Sequence, residues 1–239
     1  MIKIKNLSRS FGQVKALDDF SVEIKKGELF GLIGPNGAGK STLMKCLIGL
    51  LKPDQGEILI DGENAVENTI SAKKRIGYAP EDPVLYDYLT GTEFLEFIAD
   101  LRKVPREASQ ERTMSLLQNF GLEGKANQLV ADYSHGMKQK ISLAAALIAK
   151  PEILLLDEPM SALDPESIFW FKNHLQQLCE SGVTVIFSSH ILDTVEKICD
   201  RVGIIHRGKM VACDTIEALR RKSGGHASLE EIFMHLISK

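Results

Sequence analysis

The chain has 239 residues, 44% of them hydrophobic and 26% charged, enough to bury the core of one domain or of a domain with an insert. A net charge of -3 supplies no basic excess of the kind that nucleic-acid binding requires. Cys46, Cys179, Cys199 and Cys213 show neither C-x-x-C spacing nor a histidine at metal-ligand distance, so they read as buried, reduced thiols of a cytosolic protein.

The opening residues, MIKIKNLSRSFG, contain no apolar stretch of signal-peptide length. Residues 2–7 alternate apolar and polar side chains, as do residues 20–24, which predicts two strands with a turn at Lys25-Lys26-Gly27-Glu28. Residues 29–33 form a short apolar run ending at Gly34. A glycine-rich loop follows, then a helix predicted over residues 42–51 and closed by Lys52-Pro53. Residues 57–60 read as a strand with Asp61-Gly62 as its turn, and residues 153–156, 183–188 and 202–206 as three more. Strands that alternate with helices predict an α/β layer around a mainly parallel sheet.

Residues 90–150 break that rhythm. Phe94, Phe97, Ile98 and Leu101, then Met114, Leu116, Leu117 and Phe120, recur at helical spacing with no strand between them, which predicts a helical insert. The charged stretch 102–112 reads as a solvated connection between helices. The longest apolar run, residues 141–149 with one serine in it, is too short for a bilayer span, so membrane work is expected to need another chain. Ser228-Leu229-Glu230-Glu231 predicts a capping box opening a last short helix.

Two motifs carry chemistry by themselves. Gly34-Pro35-Asn36-Gly37-Ala38-Gly39-Lys40-Ser41-Thr42 fits the phosphate-loop (Walker A) pattern G-x-x-x-x-G-K-[ST] between a strand and a helix. Glycines allow successive backbone N–H groups to turn inward around a phosphate, and the helix that begins there directs its positive end at the same anion. Lys40 would put a point charge on the β- and γ-phosphates of ATP, and the Ser41 hydroxyl would ligate Mg²⁺. Downstream, Ile153-Leu154-Leu155-Leu156-Asp157-Glu158 is an apolar strand ending in two carboxylates at the sheet edge that also bears the phosphate loop. Asp157 is suited to hold Mg²⁺ through water, and Glu158 to polarise the attacking water.

The segment between these motifs selects a family. Tyr133-Ser134-His135-Gly136-Met137-Lys138-Gln139-Lys140 resembles the LSGGQ signature of ABC ATPases. Phe11 stands where that family has an aromatic that stacks on adenine, and Glu81, after Ile76-Gly77-Tyr78-Ala79-Pro80, stands at its Q-loop. Ser161-Ala162-Leu163-Asp164 resembles its D-loop, and His190 its switch histidine.

The resemblance covers nearly the whole chain. It implies a P-loop NTPase core (1–89 and 151–239) with an N-terminal antiparallel β part and a helical signature subdomain (90–150). It further implies a head-to-tail dimer with a second ABC subunit, identical or sibling, in which Ser134 and Gly136 of one protomer face the γ-phosphate held by the other. His190 would then hold the water and Glu158, Asp164 would lie at the nucleotide seam, and Glu81 would ligate the metal. A separate transmembrane permease is implied as partner, which puts this subunit on the cytoplasmic face of the membrane.

Two departures stand out. Glu81 occupies a position where the family mostly has glutamine, which adds a negative charge beside Asp157 and Glu158. His135 and Met137 replace a glycine and a glutamine of the signature, although Ser134 and Gly136 remain. The Pro80-Glu81 pair, the signature and the tail Leu229-Glu230-Glu231-Ile232-Phe233 resemble the bacterial and archaeal branch that exports drugs, antibiotics or peptides. Two alternatives stay open from the residues: a soluble ABC-type ATPase acting on ribosomes or DNA, and a P-loop kinase.

Overall fold

The computed structural model describes residues 1–224 and 227–238. β1 (Ile2–Phe11) and β2 (Val14–Ile24) form a hairpin, and β3 (Leu29–Ile33) leads through the glycine-rich loop into α1 (Lys40–Leu47). Next come β4 (Gln55–Ile60), β5 (Glu63–Asn64), α2 (Thr69–Arg75) and β6 (Ile76–Ala79). The helices α3 (Gly91–Leu101), α4 (Arg106–Asn119) and α5 (His135–Leu147) follow, and then β7 (Ile153–Asp157). The chain continues through α6 (Pro165–Glu180), β8 (Thr184–Ser189), α7 (Leu192–Ile198), β9 (Arg201–His206), β10 (Lys209–Thr215), α8 (Ile216–Lys222) and α9 (Leu229–Ile237).

Two sheets result. An antiparallel one has the order β2-β1-β4-β5; a six-stranded one, β10-β9-β3-β8-β7-β6, is parallel except where β10 pairs with β9. The central strands are buried on both faces, which explains their unbroken apolar runs. Their two-residue period divides them between two cores. Leu154, Leu156, Val185 and Phe187 pack toward the helices, whereas Ile153, Leu155 and Ile186 pack with α1 and the antiparallel sheet.

Local chemistry accounts for several boundaries. Helix α1 stops short of the predicted residue 51 because Gly49 turns left-handed at φ +66°, which leaves Leu50 exposed. The charged stretch 102–112 is only partly a connection, since α4 already begins at Arg106 behind Pro105. The predicted face of α3 is also shifted: Phe94, Leu95 and Ala99 are buried, whereas Leu101 is exposed and Phe97 lies against the Tyr86 ring. The capping box of α9 forms as expected, with Glu231 N–H donating to Ser228 Oγ and Ser228 N–H donating to Glu231 Oε2.

Strands β6 and β10 escape the sequence pattern. β6 is four residues long and contains Gly77, where a Cβ would lie 2.2 Å from the Ala146 carbonyl oxygen of α5. β10 is a half-buried edge strand whose alternation is correspondingly weak.

Candidate functional site

The phosphate loop lies between β3 and α1, and its glycines are required by neighbouring backbone. Gly39 has φ +113°, and a Cβ there would sit 2.3 Å from the Ala16 carbonyl oxygen; at Gly34 it would sit 2.4 Å from that of Ile205. Lys40 is buried, and its Nζ donates to the Gly34 carbonyl at 2.7 Å. The same ammonium lies 3.8 Å from Glu158 Oε1, so the loop's cation and the candidate base already share one field.

β7 and β8 bring the acidic groups into register. Asp157 pairs with Ser188 across the two parallel strands, and Ser188 Oγ donates to Asp157 Oδ1 at 2.6 Å. Glu158, the next residue, adopts a left-handed backbone at φ +48°, unusual for a non-glycine residue. Its N–H donates to Ser188 Oγ at 3.0 Å. Its Oε2 accepts from the backbone N–H and ring Nδ1 of His190, just past the end of β8.

A cavity of about 320 Å³ is lined by Ala16, residues 36–42, Glu81, Asp157 and Glu158. Burial, the charges of Asp157 and Glu158, and adjacent Asp82 push the Glu81 carboxyl above the usual carboxylate range, while Lys40 opposes the shift. The oxygen donors available here, Ser41, Glu81 and Asp157, are hard ligands of the kind Mg²⁺ takes. Among the described residues no three Asp, Glu, His or Cys side chains converge into a protein-only metal cage. Ser41, Glu81 and Asp157 also line a second, larger groove of about 710 Å³ between α1, β6, α3 and α5.

The remaining candidates lie outside the phosphate cavity. Phe11 is exposed at the hairpin end, and the Arg9 guanidinium covers one face of its ring at 5.0 Å. Ser134 caps α5 by accepting from Met137 N–H, and Gly136 packs so closely on the D-loop that a Cβ would meet the Ala162 carbonyl oxygen at 2.7 Å. Asp164 caps α6 by accepting from Ser167 N–H at 2.9 Å, and Lys140 of α5 pairs with it at 2.7 Å. That ammonium and the capping bond hold the Asp164 carboxyl well below the usual range. Within this one chain, then, the signature and D-loop sit beside each other and not over the phosphate loop.

Ser188 and Lys140 are the partners that sequence reasoning missed. A serine directly after the apolar run Val185-Ile186-Phe187 was the available signal for the first; nothing local marked the second.

The family described as ABC transporter matches residues 17–161. The chain belongs to the ABC transporter family. Within it, the chain is an ATP-binding cassette with ATP hydrolysis as its activity. The linearmycin resistance ATP-binding protein LnrL of Bacillus subtilis is 37% identical over 230 residues, 96% of this chain and 74% of LnrL. The probable multidrug ABC transporter ATP-binding protein YbhF of Escherichia coli is 36% identical over 241 residues, and the match spans 99% of this chain but only 42% of YbhF.

Among solved structures, an ATP-binding subunit of an ABC transporter superposes over the whole of both chains with a TM-score of 0.94 at 34% identity. The dimeric post-hydrolysis state of the cassette MJ0796, bound to ADP and Pi, matches 90% of this chain and 99% of its own at a TM-score of 0.81 and 26% identity. No helix among the described residues is long and apolar enough to cross a membrane.

Proposed function

We propose that this cassette drives an exporter by closing head to tail with a second cassette around two ATP molecules and reopening after hydrolysis. The observation that carries the reading is a separation. Lys40, Asp157 and Glu158 line one cavity with the phosphate loop, whereas Ser134 and Gly136 stand outside it at the start of α5. A helix N-terminus attracts an anion, and a γ-phosphate held by a partner's loop is the anion such an exposed start suits.

The ordering of steps follows from the side chains. ATP enters with its β- and γ-phosphates on the loop amides and Lys40, and its adenine on Phe11. Ser41, Asp157 and Glu81 would hold Mg²⁺, which when bound would neutralise phosphate charge. Glu158 accepts a proton from water as that water's oxygen bonds the γ-phosphorus and the bond to the β-phosphate oxygen breaks. His190 fixes the Glu158 carboxylate in this position, and inorganic phosphate and ADP are the products. Loss of the bridging phosphate removes the link to the partner's Ser134 and Gly136 contacts, and the dimer opens.

A separate permease would dock in the larger groove, whose walls include apolar Ile48, Leu50, Val84, Leu85, Phe94 and Ile98 and whose floor shares Ser41, Glu81 and Asp157 with the hydrolysis site. Docked in this way, the subunit would lie on the cytoplasmic face of the membrane. The names of LnrL and YbhF support export of a drug-like or antibiotic cargo. The test is the size of the Glu158→Gln protein by light scattering, with and without ATP–Mg²⁺. A nucleotide-dependent shift from monomer to dimer is expected; a protein that binds ATP yet stays monomeric, alone and with its membrane partner, overturns the reading.

A further inference from the structure

Ser188 lies at the only point where the two carboxylate residues of the proposed site meet one hydroxyl among the described hydrogen bonds. It is fully buried on β8, between Phe187 and Ser189, after the buried apolar Val185 and Ile186. A serine hydroxyl has one proton and two lone pairs. Its proton goes to Asp157 Oδ1, because an ionised carboxylate only accepts, and a lone pair takes the Glu158 N–H. Both assignments are therefore fixed in direction.

We propose that Ser188 is a positioning residue for hydrolysis, which rests on the ATPase reading above. It acts on two groups at once. On Asp157 it occupies Oδ1, which would leave the other carboxylate oxygen to hold Mg²⁺ when the ion is bound. On Glu158 it secures the N–H of a residue held at φ +48°, a backbone that an L side chain seldom adopts without a fixed partner. That left-handed step lets adjacent carboxylates diverge. Asp157 turns to Ser188, while Glu158 reaches Lys40 through Oε1 at 3.8 Å and His190 through Oε2 at 2.8 Å. Ser188 is not among the residues lining the phosphate cavity, so it has no nucleotide to bind.

This assigns it a distinct kinetic signature. Ser188→Ala should lower kcat for ATP hydrolysis by about 10- to 100-fold, the usual range for removing an outer hydrogen-bond partner. KM and equilibrium affinity for ATP should hold, because the phosphate loop is untouched. Ser188→Cys, which keeps the volume but donates and accepts weakly, should be slow as well, and it supplies the reading if the alanine protein does not fold. Ser188→Thr, which restores a hydroxyl, should recover kcat.

Phosphate release by the full chain with Mg²⁺–ATP, beside nucleotide titration and melting temperature, measures all of this. Unchanged kcat in Ser188→Cys, or a threonine variant as slow as the cysteine one, overturns the assignment. A parent chain that binds ATP and releases no phosphate would overturn the hydrolysis reading itself, so the two failures are distinguishable.

Discussion

His190 approaches Glu158 twice: its backbone N–H and its ring Nδ1 both reach Oε2, at 3.2 and 2.8 Å. Since that oxygen can only accept when ionised, Nδ1 carries the proton, and Nε2 is left as the ring's free position. His190→Ala should therefore lower kcat by about a hundredfold or more, with ATP affinity nearly unchanged. Phosphate release set beside a binding isotherm checks it; a loss of affinity as large as the loss of rate would place His190 in nucleotide binding instead.

Lys40→Ala should act on the other side of the kinetics. The ammonium lies at the loop carbonyl of Gly34 and beside Glu158, in the lining of the phosphate-loop cavity. Its removal is expected to weaken ATP binding itself, read by titration calorimetry, and an unchanged dissociation constant contradicts its role.

Phe11→Ala tests the base-stacking role. Stacking on an aromatic is worth about 1–3 kcal/mol per base, so ATP affinity should fall by roughly 5- to 150-fold. Because every base has a π-face, GTP should lose by the same factor, and a loss confined to ATP would point to hydrogen-bond recognition elsewhere.

Asp164 offers a pH-dependent stability test. Its carboxyl is held below its ordinary value by Lys140 and by the Ser167 N–H. A depressed folded value means the stabilisation is present above the unfolded value, about 3.9, and is lost as pH falls through the folded one. Asp164→Asn, which still caps α6, should cost little at neutral pH, since the ion pair with Lys140 is partly solvated. Asp164→Ala should cost about 1 kcal/mol for the lost cap. Urea unfolding from pH 7 downward should show the aspartate's advantage over asparagine begin to fall below pH of about 4 and shrink with further acidification toward the depressed folded value; an advantage that does not fall at all below that point would show that the ion pair is not its source.

Much of this was legible in the chain because it is written locally. The phosphate loop needs glycines in sequence order, and the caps at Ser134, Asp164 and Ser228 act within three residues. Central strands announced themselves as apolar runs. What stayed hidden depends on partners distant in sequence. Gly77 lies in β6 because the Ala146 carbonyl needs that space, and Ser188 matters because β7 and β8 align it with Asp157. Helical spacing located α3 but not its inward face: Leu101 and Phe97 both lie outward, Phe97 edge-on to the exposed Tyr86 ring.

Ser41, Glu81 and Asp157 each face both the phosphate cavity and the larger groove. The two hollows thus share three side chains, so a shift imposed from the groove reaches those residues directly. A small molecule lodged in the groove would touch the same Ser41, Glu81 and Asp157 side chains that the proposed Mg²⁺–ATP site uses. Such a compound would therefore weaken Mg²⁺–ATP binding as well as slow hydrolysis, and raising the nucleotide concentration would relieve only part of its effect.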